Sequence, residues 1–390
     1  MKVTYFTREY PPHVYGGAGV HIKNLSREVA KRAQVDVRCF GEQDLSEESL
    51  KVKGYNAWPR MWEGEDKKFN STLGTFSTDL SMIRDRIDSD LVHGHTWYAS
   101  MAGFFAKMLY DIPLVSTVHS LEPLRPWKEE QLGRSYHLTS WIERVALESS
   151  DRVVAVSNQS RGEILEHFPA IDPKKVVVIH NGIDLNVWRH VDRTDARQAY
   201  GLLDQPYILF VGRTSRQKGM VYLIEAMKHV DPGVRLVCCT SAPDTPEIEE
   251  EIAAKVKQEP RCTWINTLLR EEQYIELYSG ATVFACPSVY EPFGIINLEA
   301  MACERPVVAS AVGGIQEVVV NEKTGFLVPP AEPKALAEAI NRVLRNPEMA
   351  RQFGLAGRKR VEDHFSWTSI ADKTLAMYRE LLLEKGRKVD

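Results

Sequence analysis

Short apolar runs of strand length alternate along the chain with longer amphipathic stretches, and this alternation constrains the fold more than any other feature of the sequence. The runs are rich in β-branched residues and nearly continuous in apolar character, which is typical of strands covered on both faces. The predicted strands are Val3–Thr7, Val35–Phe40, Asp90–His93, Pro113–His119, Arg152–Ser157, Val176–His180, Tyr207–Gly212, Val234–Thr240, Cys262–Ile265, Thr282–Pro287, Pro306–Ser310 and Gly325–Val328. Regular alternation of strand and helix predicts an α/β protein with doubly wound parallel sheets.

The alternation is interrupted once, by a polar and charged stretch at 186–206. This stretch predicts a linker between two Rossmann-like domains with six candidate strands each. We place the N-terminal domain at 1–187 and the C-terminal domain at 188–366, and we expect the last helix, at about 367–390, to pack back on the N-terminal domain. Two such domains facing each other would form a cleft lined by the carboxyl ends of their strands, so functional residues are expected at strand ends and in the loops that follow.

The composition argues against several classes of protein. The 49 Lys and Arg residues are balanced by 53 Asp and Glu, a net charge of -4, which disfavours nucleic-acid binding through bulk positive charge. The six cysteines form no C-x-x-C pair, so neither a disulfide scaffold nor a zinc ribbon is predicted. The N-terminus lacks the apolar core of a signal peptide and no apolar run approaches the ~18 residues of a membrane span. We therefore expect a cytoplasmic, reduced enzyme.

A glycine-rich loop follows the first predicted strand. Gly16, Gly17 and Gly19 stand where a helix begins near Ala18, so the backbone could approach a phosphate at the amino end of that helix. The spacing is not the dinucleotide fingerprint, because Ile22 occupies the place of its third glycine. A tight turn that requires glycine explains the loop equally well.

Two cations follow the first strand of the second half. Arg213 leaves the end of that strand and Lys218 comes just before a helix. Both could bind one phosphate group, arginine as a fork and lysine as a point charge. Their position favours this interpretation over the alternative of two solvated surface cations.

The segment 286–302 combines a strand end, a loop carboxylate and the start of a helix. Glu291 lies in the loop, where it could accept hydrogen bonds from sugar hydroxyls, and Glu299 lies inside the helix, where it could bind a ribose diol. Amides of the first helical turn would be donors to a phosphate. The turn is formed by Gly294, Ile295, Ile296 and Asn297. The alternative makes Glu291 a helix-end carboxylate and Glu299 a surface residue.

At this point the sequence resembles a known family. The spacing of Glu291 and Glu299 resembles the E-x7-E element of retaining GT-B glycosyltransferases, and V-G-R at 211–213 with Lys218 resembles their diphosphate clamp. G-G-A-G-V-H at 16–21 resembles their N-terminal glycine loop. The segment 116–127, S-T-V-H-S-L-E-P-L-R-P-W, is similar to that of actinobacterial-type glycogen synthases and α-maltose-1-phosphate synthases in glycosyltransferase family four.

The resemblance covers nearly the whole chain and implies the GT-B fold and a retaining glucosyl transfer. The donor would be ADP-glucose or UDP-glucose, and the acceptor an α-glucan or glucose 1-phosphate, in glycogen biosynthesis. The protein then needs only to position the reactants and stabilise charge, so no metal or other cofactor is implied. Where another glycogen synthase type has a Lys-Thr-Gly-Gly loop, this chain has Val14 and Tyr15 before its glycines, which leaves a smaller phosphorylated acceptor open.

The resemblance also assigns roles to individual residues. His119 would lie under the transferring sugar, Glu291 would bind glucose hydroxyls, and Arg213 and Lys218 would neutralise the leaving diphosphate. Besides that pair, the donor-binding set is Gly17, Gly294, Ile295, Ile296, Asn297 and Glu299. The acceptor-binding set is His95, Arg125, Trp127, Lys128 and Asn181, of which Asn181 is explained equally well as a turn residue.

Two patterns that suggest metal binding have better structural explanations. Asp88-Ser89-Asp90 matches a manganese-binding D-x-D but lies before a strand, away from the proposed site, so it predicts turn chemistry. His93 and His95 share one strand face and His119 follows a neighbouring strand, yet no carboxylate or thiolate completes a ligand set, so no metal site is predicted.

Other functions and partners stay open at this stage. A nucleotide-sugar epimerase or phosphorylase on the same fold and a non-catalytic glycan- or nucleotide-binding protein are alternatives to the glucosyltransferase. No nucleic-acid or membrane partner is expected, and a homodimer is compatible with the sequence.

Overall fold

The computed structural model describes residues 1–14, 16–61, 63–241 and 243–388. The chain divides into two compact units. Unit 1 comprises Met1–Asn181 and Trp367–Asp390, and unit 2 comprises Gly182–Ser366. Among the described residues, no helix combines the length and the apolar character needed to cross a membrane.

Unit 1 is built on a sheet of eight described strands in the order β3-β4-β2-β1-β5-β6-β7-β8. All neighbours pair parallel except β3 and β4. The strands are β1 (Lys2–Phe6), β2 (Gln34–Phe40), β3 (Asp44–Ser46), β4 (Leu50–Tyr55), β5 (Leu91–His95), β6 (Leu114–Val118), β7 (Arg152–Ala155) and β8 (Val176–Val178). The helices are α1 (Gly17–Ala30), α2 (Lys67–Arg84), α3 (Ser100–Tyr110), α4 (Lys128–Leu132), α5 (Ser135–Ser149), α6 (Asn158–His167) and, at the end of the chain, α15 (Trp367–Glu384).

Unit 2 is built on a parallel sheet of six described strands in the order β11-β10-β9-β12-β13-β14. The strands are β9 (Tyr207–Arg213), β10 (Arg235–Ser241), β11 (Cys262–Ile265), β12 (Val283–Cys286), β13 (Val307–Ser310) and β14 (Gly325–Val328). The helices are α7 (Asp195–Ala199), α8 (Met220–Ala226), α9 (Pro246–Gln258), α10 (Glu271–Gly280), α11 (Ile295–Ala302), α12 (Ile315–Val318), α13 (Pro333–Leu344) and α14 (Pro347–His364). The prediction of two doubly wound parallel sheets is confirmed.

The strand count in the first half was wrong, because β3 and β4 were not predicted. In β4, the buried Leu50 and Val52 alternate with the exposed Lys51 and Lys53. This is the pattern of a strand near a sheet edge, and it contains no continuous apolar run. The three residues of β3 are all exposed, so hydrophobicity gives no signal for that strand.

The polar stretch at 186–206 belongs to unit 2, which begins at Gly182 and not at the expected residue 188. Within it, Ala196 and Leu202 are buried. The Arg197 amide donates to a Glu276 carboxylate oxygen at 3.0 Å. The stretch therefore packs against the rest of unit 2.

Helix α15 joins the core of unit 1 although it comes last in the chain. Ile370, Leu375 and Tyr378 lie in one buried cluster with Val3 and Leu25.

The D-x-D pattern at 88–90 has a structural contact. The Lys2 amide donates to Asp90 Oδ2 at 2.7 Å. This hydrogen bond links the start of β1 to the residue before β5, at the sheet edge opposite the carboxyl ends of the strands.

Each sheet has one point where strand order reverses, between β1 and β5 in unit 1 and between β9 and β12 in unit 2. Ligands of open α/β sheets bind outside the carboxyl ends of the strands at such points. The loops after these four strands are therefore the first places to search for a site.

Candidate active site

In unit 2, the loops after β9 and β12 pack backbone to backbone. The Val289 amide donates to the Gln217 carbonyl at 2.9 Å. Gly219 has a φ of +65°, and a Cβ there would lie 2.0 Å from the Pro287 carbonyl oxygen. Only glycine fits this position, and the two loops are fixed together at the point where strand order reverses.

The predicted cation Lys218 and the predicted carboxylate Glu291 form an ion pair across these loops. Lys218 Nζ lies 2.5 Å from Glu291 Oε2, and the two side chains are 13% and 9% exposed. The Ser288 hydroxyl donates to the same carboxylate oxygen at 3.2 Å. A buried charge requires a partner, so the pair holds both groups in place at the strand ends.

Arg213 is held in a similar way by a carboxylate that sequence reasoning missed. Its Nη1 lies 2.5 Å from Asp244 Oδ1, and the two side chains are 19% and 4% exposed. Asp244 follows β10, the strand next to β9, so the rule that selected Arg213 could also have found it. The Arg213 guanidinium and the Lys218 ammonium are thereby both fixed at the same edge of the sheet. Two cations arranged in this way can bind a diphosphate.

The turn before α11 depends on Gly294, whose φ is +91°. The Asn297 amide and its side-chain Nδ2 both donate to the Gly294 carbonyl, at 3.0 and 3.2 Å. The Asn297 side chain is fully buried, and its Oδ1 has no hydrogen-bond partner among the described residues. Asn297 thus supports the turn from within, and its predicted contact with the donor stays a prediction. Ile295 and Ile296 open α11 and are partly buried.

A second glycine pair, which the sequence did not suggest, supports the Glu291 backbone. The Gly314 amide donates to the Glu291 carbonyl at 3.1 Å. Gly313 has a φ of +53°, and a Cβ there would lie 1.8 Å from the same oxygen. These glycines follow β13, so three neighbouring strands contribute loops to one site.

Glu299 lies inside α11 and is partly buried. The Tyr278 hydroxyl donates to its Oε2 at 3.0 Å. Burial raises the pKa of Glu299 to about 7, and the Tyr278 hydrogen bond opposes that shift. The carboxyl group is therefore fixed in orientation by a tyrosine on α10.

In unit 1, histidines stand at the ends of β5 and β6. His119 follows β6 and is partly buried, whereas His95 ends β5 and is fully buried. His95 Nδ1 lies 3.1 Å from His119 Nε2. His95 is buried because β5 is covered on both faces, whereas His119 is partly exposed, and the acceptor contact predicted for His95 stays a prediction.

His21 on α1 joins the two histidines and was not singled out from the sequence. Its ring lies 4.8 Å from that of His119 and 5.4 Å from that of His95, between centroids. Asn181 Oδ1 lies 2.6 Å from His21 Nδ1, and Asn181 is buried. The side chain of Asn181 thus orients His21, and the acceptor contact predicted for Asn181 stays a prediction.

The segment after His119 is held by buried carboxylates. Arg125 forms an ion pair with Glu122, which is fully buried. The Glu122 amide donates to Glu143 Oε2 at 2.9 Å. Burial, and secondarily the Glu122 charge, raise the pKa of Glu143 to about 8. Arg125 is accordingly paired, while Trp127 precedes α4 and Lys128 begins it, both partly buried.

The glycine loop of unit 1 leads into α1, which begins at the exposed Gly17. The Gly16 amide donates to Glu9 Oε2 at 2.8 Å. A Cβ at Gly19 would lie 2.6 Å from that same oxygen. The loop therefore needs glycine for close packing against Glu9 as well, and Tyr15 lies outside the described residues.

Two family models match the chain, one to each half. Residues 15–187 match the model described as Glycosyltransferase Family 4, and residues 192–360 match Glycosyl transferases group 1. The α-maltose-1-phosphate synthase of Mycolicibacterium smegmatis is 45% identical, over 98% of this chain and 100% of that protein. The chain belongs to the GT-B glycosyltransferases of family four.

Other relatives of this glycosyltransferase fit the same assignment. A glycogen synthase of Mycobacterium tuberculosis is 29% identical over 100% of this chain and 96% of that protein. The solved structure of sucrose-phosphate synthase from Thermosynechococcus elongatus is 27% identical with a TM-score of 0.82, over 98% of this chain and 99% of that one. The protein is therefore a hexosyltransferase enzyme, as its motifs predicted.

The structure thus brings the predicted residues of the glycosyltransferase into two groups. Arg213, Lys218, Glu291 and Glu299 belong to unit 2, and His119 and Arg125 belong to unit 1. Lys218 and Glu291 are partners of each other, and Arg125 pairs with Glu122 three residues before it. The partners of Arg213 and Glu299 are Asp244 and Tyr278, which lie 31 and 21 residues away and which no local pattern reports.

Proposed function

We propose that this glycosyltransferase is a retaining α-1,4-glucosyltransferase that moves glucose from ADP-glucose to glucose 1-phosphate and forms α-maltose 1-phosphate for glycogen biosynthesis. The observation that carries the proposal is the identity over full length, 45% to an α-maltose-1-phosphate synthase against 29% to a glycogen synthase. The cations at the sheet edges support it, because both proposed substrates carry phosphate.

The proposal assigns the donor to unit 2. Arg213 and Lys218 would neutralise the diphosphate, and the amides at the start of α11 would donate to its oxygens. Glu299 would bind the ribose hydroxyls and Glu291 those of the glucose. Asp244 and Ser288, already bonded to members of this group, would keep it in place before the donor arrives. Such preorganised charge needs no metal, and the proposal assigns no cofactor.

The proposal assigns the acceptor to unit 1. Arg125 would bind its phosphate, with Trp127 and Lys128 beside it. A further cation follows β1, where the exposed Arg8 lies 4.3 Å above the Tyr98 ring. Stacking fixes the direction of the guanidinium, so Arg8 is a second candidate for the phosphate.

The proposed reaction is a substitution at the glucose anomeric carbon. The bond from C1 to the diphosphate oxygen breaks, and ADP leaves. A new bond forms from C1 to the 4-hydroxyl oxygen of glucose 1-phosphate on the same face, so the α-configuration is retained. The hydroxyl proton goes to the leaving phosphate, while His119 would contact the transferring sugar.

The direct test is a set of reactions of the purified full chain with isotopically labelled donors. ADP-glucose or UDP-glucose is combined with glucose 1-phosphate or glycogen, and products are separated and identified by NMR. We expect ADP release that depends on glucose 1-phosphate and an α-anomeric disaccharide phosphate. Transfer to glycogen alone, a preference for UDP-glucose, or inversion at C1 would contradict the proposal. The cytoplasmic location and the homodimer remain predictions.

A further inference from the structure

Three histidines of unit 1 bring ring nitrogens together from three different elements. His21 comes from α1, His95 from the end of β5 and His119 from the residue after β6. One nitrogen from each lies within 4.8 Å of the others. We refer to these three residues as the histidine cluster.

The cluster contains nitrogens without partners. His21 Nε2 and His95 Nε2 are buried and have no hydrogen-bond partner among the described residues. A buried polar atom without a partner is destabilising, so a fold that keeps two of them in one group of side chains provides a site for a ligand.

The neighbour of His21 determines which of its nitrogens can bind a ligand. Asn181 Oδ1, 2.6 Å from His21 Nδ1, can only accept a hydrogen bond, so the proton is on Nδ1 and the lone pair on Nε2. Histidines that bind metals are oriented in this way, with the second ring nitrogen donating to an oxygen. Asn181 thus leaves the Nε2 lone pair of His21 for a ligand.

From this geometry we infer that His21, His95 and His119 form a binding site for a single borderline transition-metal cation, best fitted by Zn²⁺, and that its occupancy inhibits glucosyl transfer. Three imidazoles without a carboxylate favour Zn²⁺, Ni²⁺ or Cu²⁺ over Mg²⁺ or Mn²⁺. Zn–N bonds of about 2.0–2.1 Å require the nitrogens to approach more closely than 4.8 Å, so the rings move inward and the bond between His95 and His119 is given up. His119, the partly buried member, is the entry, and water takes the fourth position.

Inhibition rests on the proposed function, because it requires that His119 contact the transferring sugar. The cation would take the His119 nitrogen and add a charge where a neutral sugar ring is proposed to lie. Binding itself does not depend on the proposed function, so the two parts can be tested separately.

The binding test uses Co²⁺ as a spectroscopic probe and Zn²⁺ as its competitor, on the full chain without substrates. We expect one Co²⁺ per chain with the strong visible absorption of a four-coordinate site, displaced by one Zn²⁺. His21→Gln and His119→Gln should each weaken Zn²⁺ binding at least tenfold. His137→Gln, at an exposed position of α5, should not. His119→Gln changes a partly exposed position, so it provides a folded variant if the buried His21 substitution fails to fold.

Weak absorption typical of six-coordinate cobalt, or a band that survives in both cluster variants, would overturn the site. A near-ultraviolet thiolate band would also overturn it, since it would assign the cation to the free cysteines. If Zn²⁺ binds the cluster and transfer proceeds unchanged, the inhibitory part is wrong. If the chain transfers no glucose in any donor and acceptor combination, the proposed function fails while the cobalt measurement still decides the site.

Discussion

The two units place chemically different groups at equivalent positions of similar sheets. At the point where strand order reverses, unit 2 has the buried ion pairs of Lys218 with Glu291 and of Arg213 with Asp244. The corresponding edge of unit 1 has His95 and His119, whose imidazoles are kept neutral by burial. One fold can thus provide fixed charge or neutral hydrogen-bonding groups, depending on which residues end its strands.

The difference suits the two parts of the proposed substrate. A diphosphate is held by cations whose positions are already set by carboxylates, because little reorganisation is then needed when the ligand binds. A sugar ring is uncharged, and neutral donors and acceptors suit its hydroxyls. The predictions below test whether the division between charged and neutral groups determines activity.

The largest effect is expected at Lys218. Lys218→Ala should lower kcat/KM for the donor by about 10²–10³-fold, because a cation that stabilises the leaving diphosphate is lost. Rates are measured as ADP release. The matched control is Arg216→Ala in the same turn, whose exposed guanidinium faces Glu251 at 3.4 Å and should change the rate less than twofold.

Loss of Lys218 also leaves Glu291 buried without its partner, which costs about 3–5 kcal/mol of stability. The double variant Lys218→Met with Glu291→Gln removes both charges and separates the two effects. It should melt close to the wild-type temperature and remain inactive. A double variant that recovers wild-type rates would show that the pair serves stability alone.

The next effect is expected at His119. His119→Ala should lower kcat by about 10–100-fold, the value of one or two hydrogen bonds to a sugar in a partly buried site. His137→Ala, at an exposed position of α5, is the control and should leave kcat unchanged. If His119→Ala keeps the full rate, the neutral edge of unit 1 has no part in transfer.

Much of the fold and the charged part of the site followed from local patterns. Buried parallel strands are continuous apolar runs, so β9 and β12 were visible, and with them Arg213 and Glu291 at their ends. Strand β4 was not predicted, because the exposed Lys51 and Lys53 alternate with its buried residues and interrupt the apolar run.

The sequence could not show which histidine at a strand end is partly exposed and which is fully buried. His95 and His119 both come at strand ends, but β5 includes His95 as its last residue whereas β6 stops one residue before His119. Burial of that kind depends on where neighbouring elements cover the sheet. Asp244, and the contact of Asn181 with His21, were missed for the same reason, since these contacts span 31 and 160 residues.

A smaller effect is expected at Glu299. Glu299→Gln should raise KM for the nucleotide sugar about fivefold to tenfold with little change in kcat, because a carboxylate accepts from two ribose hydroxyls where an amide accepts from one. Tyr278→Phe, which removes only the hydroxyl that orients the carboxylate, should raise KM about twofold. Calorimetric titration with ADP checks both, and equal ADP affinities in the wild type and Glu299→Gln would remove Glu299 from the donor site.

The smallest effect on turnover is expected at Glu143. The pH dependence of stability tests whether this buried carboxyl group of unit 1 is neutral, in contrast to the buried charges of unit 2. The folded protein binds the Glu143 proton more tightly than the unfolded chain does, because burial raises its pKa from 4.5 to about 8. The stabilisation is complete below pH 4.5 and is lost as pH rises through 8, by about 5 kcal/mol. Glu143→Gln cannot ionise, so its melting temperature should exceed that of the wild type by an amount that increases from pH 6 to 9. The control is Glu148→Gln, at an exposed position of the same helix, which should melt like the wild type at each pH. Parallel melting curves for the wild type and Glu143→Gln would mean that Glu143 is already ionised beside Glu122, and that unit 1 carries buried charge much as unit 2 does.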